Sequence, residues 1–203
     1  MKYPFTIVFI LLLISCKDQQ SNIDEFKTWF KKNENLMVKE RKIGNLTYTI
    51  YYRPIGLLVL NELMNSKPIT PNMFRTTIQT YGDNLYFLME LSTDNPNLEK
   101  DLMKYGLKSY SDFQERIRLL AFGISNNVSL IYNEEIIVPN LHHFERGYEL
   151  GRTQRILFSF PKPDNFNSGQ LIFSYRDEIF NSGILNFKFD FSEFDVPEFP
   201  ETI

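Results

Sequence analysis

Apolar and polar positions along the chain fall into three regimes. Phe5 to Ile14 is an apolar run of ten residues broken only by Thr6. After a polar stretch, Ile23, Phe26, Trp29 and Phe30 recur at helical spacing. Asn22 stands as a cap and Glu25 three residues on, which predicts a helix over about 23–33. Leu46 to Tyr52 alternates and is rich in β-branched and aromatic residues, predicting a strand closed by Pro54. Ile55 to Met64 suits a buried strand or a short helix equally. Asp83 to Ser92 reads as a central strand and Asn97 to Tyr105 as a short helix. Ser109 or Ser111 starts a further helix running to about Phe122, with Phe113, Ile117, Leu120 and Ala121 facing inward.

Beyond Gly123 the period shortens to two. Val128 to Tyr132 and Glu135 to Val138 predict a hairpin around Asn133-Glu134, and strands follow at Arg155 to Phe160, Leu171 to Tyr175 and Leu185 to Phe191. Phe166-Asn167-Ser168-Gly169 and Phe180-Asn181-Ser182-Gly183 each precede an alternating strand. Asn and Gly adopt the positive φ that tight turns need, so these repeats predict hairpin turns. On the second of these strands Asn186, Lys188 and Asp190 form the wet face. The fold class expected is α+β: an N-terminal helix and mixed α/β region, then an antiparallel β-sheet or sandwich-like C-terminal half.

The first apolar run changes meaning once its flanks are read. Lys2 supplies a positive charge before it, and Ser15-Cys16 follows, as in a secretory signal. Ten helical residues span only about 15 Å, roughly half of a bilayer's hydrocarbon core. Leu13-Ile14-Ser15-Cys16 resembles the lipobox of bacterial lipoproteins. That resemblance implies cleavage between Ser15 and Cys16 and a diacylglycerol on the Cys16 thiol, with two or three acyl chains giving a stable anchor. It also implies a cell-envelope protein held on a membrane, the outer membrane in particular, at its periplasmic or surface face. Cys16 is the only cysteine, so it has no disulfide partner within the chain. Residues 1–15 are then a signal peptide, 16–22 the lipidated cysteine and tether, and 23–203 one α+β domain. That domain is either undivided or split near 123 into an α+β part (23–123) and a β-rich part (124–203).

Composition adds limits. Without Lys2 there remain 21 basic and 25 acidic residues, a balance of −4. This is no basic footprint for nucleic acid. Ala121 is the only alanine, against 19 Phe and 11 Tyr; that bias is similar in style to Bacteroidota proteins, and the expectation drawn from it is an AT-rich genome.

Candidate chemistry is sparse. The chain has no Gly-x-Ser-x-Gly elbow, phosphate loop or paired-histidine zinc motif. His142 and His143 are adjacent, so on a strand they point to opposite faces; either with Glu145 offers two metal ligands at most. Glu134-Glu135 and Asp177-Glu178 read as solvated turn residues. Glu90 lies inside the apolar run Leu85 to Leu91 and shares a strand face with Tyr86 and Leu88. It is a pocket acid, or else it pairs with a cation such as Arg53 or Arg75. The weak pocket candidates are therefore Glu90, His142, His143 and Glu145, with no cofactor and no metal expected.

Two surface features suit binding. Lys27, Lys31, Lys32, Lys39, Arg41 and Lys42 outweigh Glu34 and Glu40, a patch fit for anionic lipid headgroups or a plain solvated face. Phe189 to Ile203 combines acidic residues with Phe191, Phe194 and Phe199, fit to dock on a partner or to pack back on its own domain. The leading expectation is a non-enzymatic, membrane-tethered binding or assembly module with an envelope protein or glycan as partner. The alternatives are a lipid-anchored hydrolase using carboxylates, and an inhibitor or immunity-type lipoprotein.

Overall fold

The computed structural model describes residues 25–64, 69–94, 102–145, 152–164, 166 and 168–194. Cys16, the signal region, the tether and Phe199 lie outside them. The described residues fall into two compact units: one formed by residues 25–33 and 56–81, the other by Glu34–Ile55 with the later chain from Gly82 onward. Position 123 lies within the second unit.

The first unit is helical. Helix α1 (25–32) buries Phe26 and Phe30, whose rings meet edge to face at 4.9 Å. The ambiguous run after Pro54 forms helix α3 (Ile55–Leu63), burying Val59, Leu60 and Leu63. Helix α4 (Pro71–Tyr81) was not legible as an element in the periodicity. Its start has a local cause, because Thr70 Oγ1 accepts the Met73 N–H and Pro71 stands in the first turn, where its missing N–H costs nothing. Phe74 of α4 meets Phe26 edge to face at 6.0 Å. Gly56 lets these elements close: a Cβ there would lie 2.8 Å from the tip of the Phe26 ring.

The second unit holds two antiparallel sheets. After a single helical turn, α2 (Glu34–Met37), come β1 (Val38–Ile43), β2 (Leu46–Tyr52) and β3 (Asn84–Thr93). Later strands are β4 (Val128–Tyr132), β5 (Glu135–Ile137), β6 (Leu141–Glu145), β7 (Thr153–Pro161), β8 (Gln170–Asp177) and β9 (Gly183–Asp190). One sheet runs β1-β2-β3-β7-β6 and the other β5-β4-β8-β9. The chain is thus α+β with a sheet-rich C-terminal half.

The period-two pattern explains how the sheets face each other. Leu85, Phe87, Met89 and Leu91 of β3 and Leu171, Phe173 and Tyr175 of β8 are buried alternate residues. Phe87 lies 5.5 Å from Phe173 and 5.4 Å from Phe189, and Phe158 lies 6.0 Å from Phe173, tilted or edge to face across the two layers. The expected wet face of β9 is present, with Asn186, Lys188 and Asp190 all exposed. In the β4–β5 turn Asn133 and Glu134 both take positive φ, 48° and 69°, the backbone of a type I′ hairpin.

Helix α5 (Tyr110–Arg118) starts at Ser109, whose hydroxyl accepts the Asp112 N–H while the Asp112 carboxylate accepts the Ser109 N–H. The chain then loosens into a π turn over Leu119–Gly123 and a 3₁₀ turn over Ile124–Asn127. Of the expected helix over 97–105, the described part is a 3₁₀ turn, Leu102–Lys104. The C-terminal aromatics within the described residues pack on their own unit. Phe191 stacks on Phe194 at 4.8 Å and meets Tyr52 at 4.8 Å and Phe166 at 4.9 Å.

Candidate functional site

Glu90 sits where alternation puts it, on the β3 face that carries Tyr86 and Leu88, opposite the core face. Strand register lines up Glu145, Arg155, Glu90, Thr49 and Glu40 in one row across the five-stranded sheet. The Arg155 Nε donates to Glu90 Oε2 at 2.8 Å. Its partner is therefore Arg155, neither Arg53, which lies over the Tyr51 ring, nor Arg75. Glu90 and Glu145 face the same way two strand spacings apart, roughly 9.5 Å, with the guanidinium between them. Hydrolysis by two carboxylates asks for an acid and a base facing each other across a cleft. Here Arg155 is bonded to Glu90, so a cation of the protein stands beside that carboxylate.

The two histidines point to opposite faces of β6, as adjacent strand residues must. His142 is half-buried on the inner face, donating from Nε2 to the Ala121 carbonyl at 3.0 Å and lying 6.3 Å from the Phe158 ring. His143 and Glu145 are exposed on the outer face. Hence the four candidates do not converge: Glu90, His143 and Glu145 share a sheet face, and His142 is turned away. Among the described residues no group of three or more His, Cys, Asp or Glu side chains could hold a metal ion.

The most elaborate polar cluster lies on a residue read as a solvated turn. Asp177, at the end of β8, is only 3% exposed. Its Oδ1 accepts the Tyr175 hydroxyl and the Ile179 and Phe180 N–H groups, each at 3.0 Å. Its Oδ2 accepts the Tyr48 hydroxyl at 2.7 Å and the Ser182 N–H at 3.0 Å. Burial alone would push this carboxyl up; the bonds from Tyr48, the Phe180 and Ser182 backbone and Tyr175 outweigh it and hold the group below the ordinary carboxylate value. Burial pushes both tyrosine hydroxyls up, so they stay protonated donors at neutral pH. Tyr48 also touches Ser182 Oγ at 2.6 Å, so the cluster ties β2 of one sheet to the β8–β9 turn of the other. That is an architectural role. The Asp and Asn-Ser-Gly of this turn were a local signal for the backbone bonds, whereas Tyr48 lies 129 residues away.

Arg116 does comparable work in α5. Its guanidinium donates to the carbonyls of Met103 at 2.9 Å, Tyr105 at 2.8 Å and Ile179 at 3.3 Å, and lies 5.0 Å from the Phe180 ring centre. Beside it is an open depression of about 360 Å³ edged by Asp112, Glu115 and Glu178 with Leu107 and Leu119. Each charged group around it has a local partner: Asp112 the Ser109 cap, Glu115 Arg118, Glu178 Arg176.

The basic patch is divided. Lys27, Lys31 and Lys32 belong to the first unit, and Lys39, Arg41 and Lys42 lie on β1 of the second. Arg41 Nη2 donates to the Asn186 carbonyl at 3.3 Å and lies over Phe187; Lys39 lies over Phe189; Lys42 pairs with Asp94. Lys39 and Arg41 therefore cover the edge of β9. Among the described residues no helix is long and apolar enough to cross a membrane.

No family model and no curated protein matches the chain. Among solved structures, a crystal structure of a DUF4426 family protein from Pseudomonas aeruginosa PAO1 is similar at 12% identity. The match covers 76% of this chain and 92% of that one, with a TM-score of 0.35. At that score the likeness carries no argument about function.

Proposed function

We propose that the chain is a lipid-anchored cell-envelope protein, held on the outer membrane through acylated Cys16, whose folded body binds or assembles with an envelope protein or glycan. The observation that carries the proposal is Leu13-Ile14-Ser15-Cys16 at the end of a ten-residue apolar run, with the sole cysteine of the chain at its close. Binding rather than turnover is supported by how the polar candidates are used. Glu90 is bonded to Arg155, His142 to a backbone carbonyl and Asp177 to five donors. Each of these groups is thus bonded to a partner within the fold.

The anchor is tested by Cys16→Ala. Acylation, followed by incorporation of a labelled fatty acid, is expected to vanish, and the chain either stays unprocessed or moves to the soluble fraction. Unchanged membrane retention of processed protein overturns the anchor. The binding half is tested by pull-down of envelope proteins and glycans with the purified protein. Retention of a defined macromolecule is expected; turnover of a small substrate with nothing retained overturns it.

A further inference from the structure

The two sides of the sandwich are finished differently. On one side β1 and β9 are the outer strands, and β1 reads Val-Lys-Glu-Arg-Lys-Ile. Charged residues on an edge strand discourage pairing with another chain, and Lys39 and Arg41 also lie across β9. On the other side β5 and β6 are the outer strands, joined through residues 138–140. An edge strand turns alternate N–H and C=O groups outward.

Here the lysines and arginine that guard the first side are absent. Among the described residues seven large apolar side chains are exposed, and four of them, Phe122, Ile136, Val138 and Leu141, lie on or beside these two strands. Each of the four is at least 65% exposed, and Phe122 reaches 79%. The hydrogen bond between His142 and the Ala121 carbonyl holds the Phe122 segment against β6. Ile136 pairs in register with Ile131, beside Ile172, extending the apolar surface over the other sheet.

Charge selects the occupant. From Leu119 to Glu145 the sequence contains Glu134, Glu135 and Glu145 and neither Lys nor Arg. All three glutamates are exposed. Arg118 and Arg146 flank this stretch in the sequence, and among the described cations around it Arg118 pairs with Glu115, Arg155 with Glu90 and Lys162 with Asp83.

We infer that the β5–β6 side is a docking edge for an extended segment of a partner protein that alternates apolar and basic residues, added as a further strand beside β6. Main-chain bonds to the outward groups of β6 supply affinity, and alternate side chains supply selection. Residues of the incoming strand on the outer face lie next to Leu141, His143 and Glu145; those on the inner face lie toward Phe122. This deepens the binding-module proposal and rests on it, though not on the lipid anchor.

The test uses the purified full chain in uncharged detergent and two fluorescein-labelled peptides of about ten residues, one alternating Val with Lys and one Val with Glu. Fluorescence anisotropy is expected to show binding of the Lys peptide only. The double variant L141K/E145K, whose altered side chains are exposed, is expected to weaken it tenfold or more with an unchanged circular dichroism spectrum. E40K on the opposite edge is expected to leave binding unchanged. Absence of binding, equal binding of both peptides, or an equal loss in E40K overturns the inference. So does a dimer in sedimentation that L141K/E145K dissolves, because the occupant is then a second copy. A pull-down partner retained equally by the native chain and L141K/E145K overturns this docking edge and leaves the binding module standing.

Discussion

Replacing Asp177 by Asn removes one acceptor from the cluster while keeping its shape. The amide oxygen can serve the three donors now on Oδ1, the Tyr175 hydroxyl and the Ile179 and Phe180 N–H groups. The amide nitrogen then faces Tyr48 and the Ser182 N–H. Tyr48 can adapt by turning its proton to Ser182 Oγ, 2.6 Å away, and accepting from the amide. The Ser182 N–H cannot adapt and loses its acceptor. One orphaned donor costs about 1–3 kcal/mol, and weakening several charge-assisted bonds to neutral ones adds to it. Asp177→Asn is therefore expected to destabilise the protein by about 2–4 kcal/mol. Asp177→Ala removes the acceptor of five donors, of which Tyr48 can turn to Ser182 Oγ and four are stranded, and is expected to cost more, enough to threaten folding on a typical margin of about 5–15 kcal/mol.

The assay is urea unfolding followed by far-ultraviolet circular dichroism, which reports the sheets; Trp29, the only tryptophan, belongs to the first unit and reports elsewhere. The pH dependence gives a second readout. The folded carboxyl of Asp177 titrates below its ordinary value, so its contribution is complete above the unfolded value near 4 and is lost as pH falls through the lower folded value. Asp177→Asn is expected to flatten this acid-side loss. A variant within about 0.5 kcal/mol of the native protein at neutral pH, the size of an ordinary surface substitution, refutes the structural role given to the cluster.

Three further outcomes follow from the packing. Phe173, fully buried between the sheets against Phe87 and Phe158, is expected to cost about 3–5 kcal/mol when truncated to Ala, read as a lower denaturation midpoint. Gly56→Ala places a Cβ against the Phe26 ring and is expected to destabilise the helical unit by about 1–3 kcal/mol, seen in Trp29 fluorescence; a neutral effect would show that α1 is not held against Gly56. Glu134 sits at φ 69° in the β4–β5 turn, so Glu134→Gly relieves left-handed strain of about 1 kcal/mol and is expected to raise the melting temperature slightly; a lower one would refute the I′ assignment.

Local chemistry made much of the fold readable. β4 begins and ends at the expected residues, because alternation and a turn sequence fit for positive φ bracket it. The start of α5 was narrowed to two serines, and the capping box chooses Ser109. Two strands were not readable for opposite reasons. β1 is mostly charged and is a strand because β2 pairs with it and its cations lie over β9. β6, Leu-His-His-Phe-Glu, is too short to display a period and is fixed by pairing with β7. The candidate site shows the same limit. That Glu90 shares a face with Tyr86 and Leu88 is a property of one strand, whereas its pairing with Arg155 needs β7 placed beside β3.

By itself the sequence determined the α+β class and the alternating core faces of β3, β8 and β9; it set His142 and His143 on opposite faces only on condition that they lie on a strand. These depend on backbone periods and turn preferences, which act within a few residues. Tertiary structure decided which strands become edges, that Asp177 is buried instead of wet, and that the exposed apolar residues gather on the β5–β6 side. Those outcomes depend on long-range pairing: a carboxylate is wet or dry according to whether Tyr48 arrives over it from 129 residues away, and no local pattern encodes that arrival.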